Sequence, residues 1–395
     1  MLKTTFTLLP LFVSLFWLLI FLIDRGRNKY VRLSLISFFA VTSLLYFSHA
    51  LYFNYEFSTY LYFDSIYTFA NLAVYPLYFI YIIYLTREVK FKSKYFWWLV
   101  PALLMGVVSA AAYLSMDRQE AVNFVSEVLY SKDANFNYSP AGTVRLFLQR
   151  LTPVVFSIQL ILILLIGSRM LVRFDEKIRN YYSDTEGKEM VWTRRLFLLF
   201  AVFSLMSMIA NVLGRTYFLS SYALIVPSVL FSLLLFSVGY ISYRQRFTVT
   251  DLMKDENAPV FEEELFSESD HEFVYSVAQQ AEMTRRLKDL LEEEKVFTRK
   301  ELRIIDISRD LNTNRSYVSR LINQVYQKSF SDLINHYRLE EARYMLKAPE
   351  YSLLSVSEIA SRAGFQSESS FYRNFKKETG MSPGDWRKVN GKIKA

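Results

Sequence analysis

The sequence predicts an all-α protein in two parts, a polytopic bundle of transmembrane helices followed by a separate helical domain. Two observations lead to this fold class. Long apolar stretches recur through residues 1–243, and a pattern of short helices occurs twice within residues 298–395. A content of 52% hydrophobic and 17% aromatic residues is also too high for one ordinary soluble domain. Part of the chain is therefore expected in lipid.

Seven apolar stretches approach the length of a membrane span. A bilayer core about 30 Å thick needs about 20 helical residues. The stretches are residues 8–23, 33–51, 63–85, 95–115, 146–167, 196–213 and 222–240. The first is expected to be a retained span, because Asp24 and Arg25 follow it without a small-residue cleavage site. We predict seven transmembrane helices in a domain of residues 1–243.

Loops rich in lysine and arginine alternate with loops that are poor in them. The loop after the fifth stretch is the most basic, and residues 52–62 contain no lysine or arginine. Basic loops stay on the cytoplasmic side of a membrane. The pattern predicts an external amino terminus and a cytoplasmic location for everything beyond about residue 244.

Residues that several functional classes require are missing from the sequence. The chain has no cysteine, and its three histidines are scattered, so neither a disulfide nor a metal-ligand cluster is expected. No nucleophile triad and no glycine-rich phosphate loop is apparent. Paired charges at the membrane midplane, typical of ion-coupled transporters, are also not apparent. We therefore predict a protein that is not an enzyme and has no catalytic residues, cofactor or metal.

An acidic connector is predicted between the two parts, over residues 244–281. From Asp255 to Glu272 its acidic residues are Asp255, Glu256, Glu262, Glu263, Glu264, Glu268, Asp270 and Glu272, with no lysine or arginine between them. Such a run is typical of a solvated linker that is repelled by anionic lipid. Residues 273–294 then predict a helix, and a dimerising coiled coil at this helix stays open.

A pair of short helices is predicted twice in the carboxyl-terminal part. On the first helix of each pair, Ile307, Ser308 and Asn312 match Ile359, Ala360 and Gly364, which lie 52 positions later. On the second helix, Val318, Arg320 and Ile322 match Phe371, Arg373 and Phe375, which lie 53 positions later. Asn312 and Gly364 tolerate a positive φ and would end the first helix of each pair. Small residues on the first helices permit a steep helix crossing. The repeat predicts two helix-turn-helix units.

Helix starts and a connecting helix complete this prediction. Thr298-x-x-Glu301 and Ser355-x-x-Glu358 each fit a capping box, and Ser367 is expected to cap the last helix of the second unit. Residues 331–346 predict an amphipathic helix, roughly 24 Å long at about 1.5 Å per residue. Such a helix would hold the two units near one duplex turn, about 34 Å, apart.

Residues 298–395 carry eighteen lysine and arginine residues against eleven aspartate and glutamate residues. Two sequences in this basic region, FSDLINHYRLEEARYML and SVSEIASRAGFQSESSFYRNFKKETGMSPGDWRK, resemble AraC/XylS-type bacterial transcription regulators. The matching positions in the second half are Ile359-Ala360, Gly364-Phe365, Ser370-Phe371, Arg373, Phe375-Lys376-Lys377, Gly380 and Ser382-Pro383. The first half departs from the pattern, because it lacks the glycine often found before Ser329-Phe330. The resemblance covers about residues 282–390 and implies a DNA-binding domain over 282–395. The family's soluble sensing domain would be replaced by the membrane bundle.

The resemblance also implies which residues face DNA. For the first major-groove segment they are Arg315, Ser316, Ser319, Arg320 and Asn323, and for the second they are Ser369, Tyr372 and Arg373. Arginine on such a helix reads guanine through two hydrogen bonds. Lys376 and Lys377 are expected to contact phosphate, which adds affinity without base preference.

Together these features predict a transcription regulator tethered to the bacterial inner membrane. Double-stranded promoter DNA and the lipid bilayer are the expected partners, and a small-molecule or lipid ligand of the membrane domain is the expected signal. A homodimer is left open. The alternative is a membrane receptor or scaffold whose basic helical domain binds a protein partner. A steep loss of affinity with salt would favour DNA.

Overall fold

The chain is helical throughout the residues described by the computed structural model, which are 2–26, 28–87, 93–131, 138–213, 224–256 and 276–390. Regular structure in these ranges consists of helices and one isolated antiparallel bridge, between Tyr182 and Arg303. The predicted all-α class is confirmed.

The amino-terminal helices coincide with the apolar stretches. They are α1 (Leu2–Ile23), α2 (Lys29–Phe53), α3 (Phe57–Thr86), α4 (Val100–Ser115), α5 (Arg118–Asn123), α6 (Pro140–Tyr181), α7 (Val191–Leu213) and α8 (Ile225–Arg244). A 3₁₀ turn over Ser93–Leu99 leads into α4, and a π-helical turn over Phe124–Ser131 follows α5. Within the described residues every predicted stretch is therefore helical, and α6 extends beyond its stretch at both ends.

Six of the helices in the described residues are long and apolar enough to cross a membrane. One lies within α1 (Thr4–Ile23), three coincide with α2, α3 and α6, one includes α8 (Ile225–Glu256), and the sixth runs over Tyr95–Ser115. Their length and composition are those of membrane-spanning helices. The remaining predicted span, residues 196–213 and the sixth in chain order, forms part of α7 and stays a prediction.

The chain divides into two compact units. The first contains Met1–Val172 and Met190–Asp251, and the second contains Arg173–Glu189 and Leu252–Ala395. The loop between α6 and α7 therefore belongs to the same unit as the carboxyl-terminal helices. Nothing in the local sequence of this loop indicates that grouping.

A buried ion pair joins α3 and α6 in the first unit. Asp64 and Arg145 each have side chains only 1% exposed and form a salt bridge. The Asp64 carboxylate also accepts hydrogen bonds from Tyr60 Oη (3.0 Å) and Tyr113 Oη (2.8 Å), and Gln149 Oε1 accepts two from Arg145 (3.2 Å each). Buried charges are tolerated when they are paired and hydrogen-bonded in this way. Sequence patterns showed Asp64 and Arg145 only as separate charges.

The carboxyl-terminal helices are short. They are α9 (Val249–Glu256), α10 (Val277–Glu292), α11 (Ile304–Asp310), α12 (Arg315–Tyr326), α13 (Phe330–Lys347), α14 (Val356–Arg362), α15 (Glu368–Thr379) and α16 (Pro383–Asn390). Helix α10 lies within the predicted helix at 273–294. The connector residues from Glu262 to Glu272 lie outside the described residues.

One predicted helix start is wrong. Thr298 and Glu301 do not begin a helix, because residues Val296–Thr298 form a 3₁₀ turn and Thr298 Oγ1 donates to Lys295 O (2.9 Å). Helix α11 begins three residues after Glu301, where Arg303 N donates to Asp306 Oδ2 (2.8 Å). Asp306 can satisfy this free amide at the helix start, so the capping role moves to it.

Candidate nucleic-acid interface

The two helix-turn-helix units repeat with the same element lengths. Helices α11 and α14 have 7 residues each, and α12 and α15 have 12 residues each. The first pair is offset by 52 positions and the second by 53, as the sequence repeat predicted. We term α12 and α15 the recognition helices.

The turns of the two units share one backbone geometry. Asn312 has φ 52° and Gly364 has φ 96°, which confirms both predicted positive angles. The residue after each of these closes the preceding helix with its amide: Thr313 N donates to Ser308 O (2.9 Å), and Phe365 N donates to Ala360 O (3.0 Å). Such bonds close a helix whose end is left-handed.

Gly364 is required for packing as well as for conformation. A Cβ atom at this position would stand 2.6 Å from Phe297 O and 2.7 Å from Thr298 Cα. Both neighbours are backbone atoms and cannot rotate away. Any other residue would therefore force the second turn away from residues 297–298.

Side chains cap the amino ends of both recognition helices. Asn314 Oδ1 accepts from Tyr317 N (2.8 Å), and Ser367 Oγ accepts from Ser370 N (3.1 Å). Ser355 and Glu358 form the predicted reciprocal capping box at α14. The predicted caps at Ser355 and Ser367 are confirmed, and together they fix where each helix of the second unit begins.

Apolar packing holds the second recognition helix against α13 and α14. Its buried cluster comprises Leu339, Ala342, Met345, Leu346, Ile359, Ala360, Ala363, Phe365, Phe371 and Phe375. The first helix-turn-helix unit buries its apolar side chains in the same way, namely Ile304, Ile307, Leu311, Val318, Leu321 and Ile322. One face of each recognition helix is thus used for packing, and the opposite face is left for other contacts.

Arg338 links the connecting helix α13 to residues 297–299, which precede the first helix-turn-helix unit. This side chain is fully buried, and its Nε and Nη2 atoms donate to Phe297 O and Arg299 O, each at 2.7 Å. Burial lowers the pKa of Arg338 to about 10, so the guanidinium remains charged at neutral pH. Its role is structural, and the periodicity of α13 did not reveal it.

The outer face of α12 carries the five predicted residues of the first unit. Ser316, Arg320 and Asn323 are exposed and follow a spacing of four and three residues, which places them on one face. Arg315 and Ser319 are partly exposed beside them. The structure therefore brings these predicted residues together on one surface.

The outer face of α15 carries four of the five predicted residues of the second unit. Ser369, Arg373, Lys376 and Lys377 are exposed along one side. Tyr372 differs from them, because it is partly buried and packs against the apolar cluster of α13 and α14. Its hydroxyl end is the part left to reach a partner.

An acidic residue contacts each recognition helix near its first turn. Glu256 Oε1 lies 2.7 Å from Arg315 Nη1 on α12. Glu186 accepts hydrogen bonds from Ser367 Oγ and from Ser369 Oγ, the latter at 2.5 Å. Sequence reasoning missed both contacts. Glu186 lies 183 residues from Ser369, and no local pattern marks it.

The pKa of Glu186 reflects these contacts. Partial burial alone would raise the pKa of this carboxyl group, but the hydrogen bonds from Ser367 and Ser369 and the charge of Arg373 together hold it below its usual range. The carboxylate is therefore charged at neutral pH and adds negative charge to the recognition surface.

Comparison with known proteins supports this description of the domain. A family model described as "Helix-turn-helix domain" matches residues 307–389. The chain is 33% identical to the Msm operon regulatory protein of Streptococcus mutans over 87 residues, which are 22% of this chain and 30% of that relative. It is 34% identical to the Melibiose operon regulatory protein of Escherichia coli K12 over 89 residues, 22% of this chain and 28% of the relative.

A solved structure gives a similar alignment. The C-terminal domain of AraT, a response regulator from Geobacillus stearothermophilus, is 29% identical, with 28% of this chain and 88% of that chain covered, at a TM-score of 0.26. The family model and the curated relatives show that the carboxyl-terminal region is an AraC-type helix-turn-helix domain whose homologues are AraC-family transcriptional regulators. The chain spans less than a third of the length of the two curated relatives.

Proposed function

We propose that this protein is a membrane-tethered bacterial transcription regulator that binds promoter DNA through its two recognition helices. The observation that carries the proposal is the matched pair of exposed faces on α12 and α15, with Arg320 and Arg373 at equivalent positions. In helix-turn-helix proteins this helix enters the major groove. The operon regulation named for the two curated relatives agrees with the same role.

The proposed anchor is the bundle of residues 1–243. Six helices of sufficient length and apolarity support it, and the charge pattern of the loops supports an external amino terminus and a cytoplasmic DNA-binding domain. The location is the bacterial inner membrane. A small molecule or a lipid that changes the packing of the bundle is the proposed signal, and a homodimer would pair the DNA-binding domains.

Individual roles follow from position. Arg320 and Arg373 read bases, with Ser316, Ser319 and Asn323 beside the first arginine and Ser369 and Tyr372 beside the second. Arg315 faces the same major-groove segment as Arg320, and Lys376 and Lys377 bind phosphate. Phosphate contacts set affinity, and base contacts set sequence preference.

Binding of duplex DNA by the full-length protein in lipid nanodiscs tests the proposal. We expect affinity that falls steeply as salt rises, because each phosphate contact releases a counterion. A scaffold that binds a protein partner would show no such affinity for a duplex. Failure of the full-length protein, both as the wild type and as Glu186→Gln/Glu256→Gln, to bind any sequence from a random duplex pool would refute the proposed function.

A further inference from the structure

The acidic contacts on the recognition helices occupy the positions where DNA would bind. Arg315 is the first residue of α12, and Ser367 is the cap of α15. In helix-turn-helix complexes the amino-terminal part of the recognition helix contacts base edges. Glu256 therefore contacts Arg315, and Glu186 contacts Ser369 as well as the cap, and the proposed function assigns both Arg315 and Ser369 to DNA.

The loop that carries Glu186, residues 182–189 between α6 and α7, is held in place by its backbone. Ser183 N donates to Leu302 O (3.1 Å), and Ser183 O accepts from Ser331 Oγ (3.0 Å) and Asn335 Nδ2 (3.2 Å). Ser183 is buried. The loop is thus a docked element of the carboxyl-terminal unit, and Glu186 contacts α15 because the preceding residues are fixed.

The two acidic segments are also joined to each other. Tyr181 Oη donates to Asp255 O (2.8 Å), and Tyr182 Oη donates to Asp255 Oδ2 (2.5 Å). Asp255 immediately precedes Glu256, so the tyrosines place the acid that pairs with Arg315. Displacement of the loop would therefore remove the support of both carboxylates.

We propose that Glu186 and Glu256 mask the two recognition helices and hold the domain in a state of low DNA affinity. The proposal rests on the proposed DNA-binding function. The carboxylates occupy the positions that DNA would take at Arg315 and Ser369, and their negative charge repels a duplex that approaches these helices. The Arg315–Glu256 pair keeps contact with solvent and is weak for that reason, so the mask is reversible.

The position of the loop in the chain indicates how the mask is released. The loop connects α6 directly to α7, and α9, which carries Glu256, follows α8 after four residues. Movement of α6, α7 or α8 is thus transmitted through the backbone to the two masking segments. A signal acts by favouring the arrangement in which these segments are displaced.

Neutralising the two acids in the full-length protein tests the mask. We would compare Glu186→Gln/Glu256→Gln with the wild type in nanodiscs, using a fluorescent 40-base-pair duplex of random sequence as the probe. If the two acids mask the recognition helices, the double variant should bind the duplex about five-fold more tightly than the wild type, or more. This change is within the usual range of coupling between sites. Glu176→Gln/Glu293→Gln, which removes the same charge from exposed residues, is the matched control and is expected to stay within about two-fold of the wild type.

Hydrogen exchange distinguishes a mask from simple capping of α15. Saturating duplex should accelerate exchange of the Ser183 amide, because DNA must displace the loop. Equal affinity of the wild type and the acid-neutralised variant, or unchanged protection of Ser183 in the DNA complex, would overturn the mask while leaving DNA binding intact. Absence of duplex binding in the wild type and in both variants would overturn the proposed function itself, and the mask with it.

Discussion

Arg320 and Arg373 each occupy the sixth position of a 12-residue helix, and both side chains are exposed. The equivalence is set by the packing of the same face of each helix, with Val318 and Phe371 fully buried. Two arginines in one register can read two similar segments of a duplex. The repeat thus links helix packing to the way in which DNA would be recognised.

Replacement of Arg373 by alanine should relax base preference at one position of the binding site. A bidentate arginine–guanine contact contributes about 1–3 kcal/mol of discrimination. Selection from a random duplex pool measures the change, and Arg320→Ala should act at a separate position. Arg362→Ala, on the exposed side of α14, is the control. Identical selected sequences for the wild type and Arg373→Ala would rule out base reading by Arg373.

The double substitution Lys376→Gln/Lys377→Gln should weaken binding to all sequences alike. Each lost phosphate contact lowers the salt slope by about 1, so the slope should fall by about 2. Affinity measured over a range of salt concentrations gives this slope. Lys288→Gln removes a charge from α10, where the lysine lies 3.7 Å from Glu292, and should leave the slope near that of the wild type. An unaltered slope in the double variant would place both lysines away from phosphate.

Gly364→Ala should destabilise the second helix-turn-helix unit by about 2–3 kcal/mol, because the angle of 96° is strained for alanine and the new methyl group meets backbone atoms. Exchange of the Phe365 amide in the full-length protein measures the loss. At Gly384 a Cβ meets nothing within 4 Å, so Gly384→Ala is the control and should be neutral or slightly stabilising. Normal protection of Phe365 in Gly364→Ala would contradict the packing described for this turn.

Asp64→Asn should destabilise the amino-terminal compact unit, which contains α3 and most of α6, by about 3–5 kcal/mol. Arg145 would remain buried there without its counter-charge. Thermal unfolding in a mild detergent measures this effect. Restoration of stability by Asp64→Leu/Arg145→Leu would show that the unpaired charge causes the loss. An unfolding temperature of Asp64→Asn equal to that of the wild type would show that the ion pair does not stabilise the packing of α3 and α6.

The sequence predicted the elements that depend on local pattern. Apolar length located the amino-terminal helices, and the spacing of Asn312 and Gly364 located both turns. Thr298 failed as a cap because Asp306 could satisfy the start of α11 instead. Arg338 and the docked loop were not predictable, since their partners lie far away in the chain and backbone carbonyls carry no signature in the sequence.

The link between the membrane anchor and DNA is the central claim, and cross-linking in living cells tests it most directly. Cells would express the full-length protein with a carboxyl-terminal tag, and DNA cross-linked to the tagged chain would be recovered from the membrane fraction and sequenced. We predict a small set of discrete genomic segments that disappears in Arg320→Ala/Arg373→Ala. Recovery of no segment above background from a full-length chain in the membrane would contradict a membrane-tethered DNA reader.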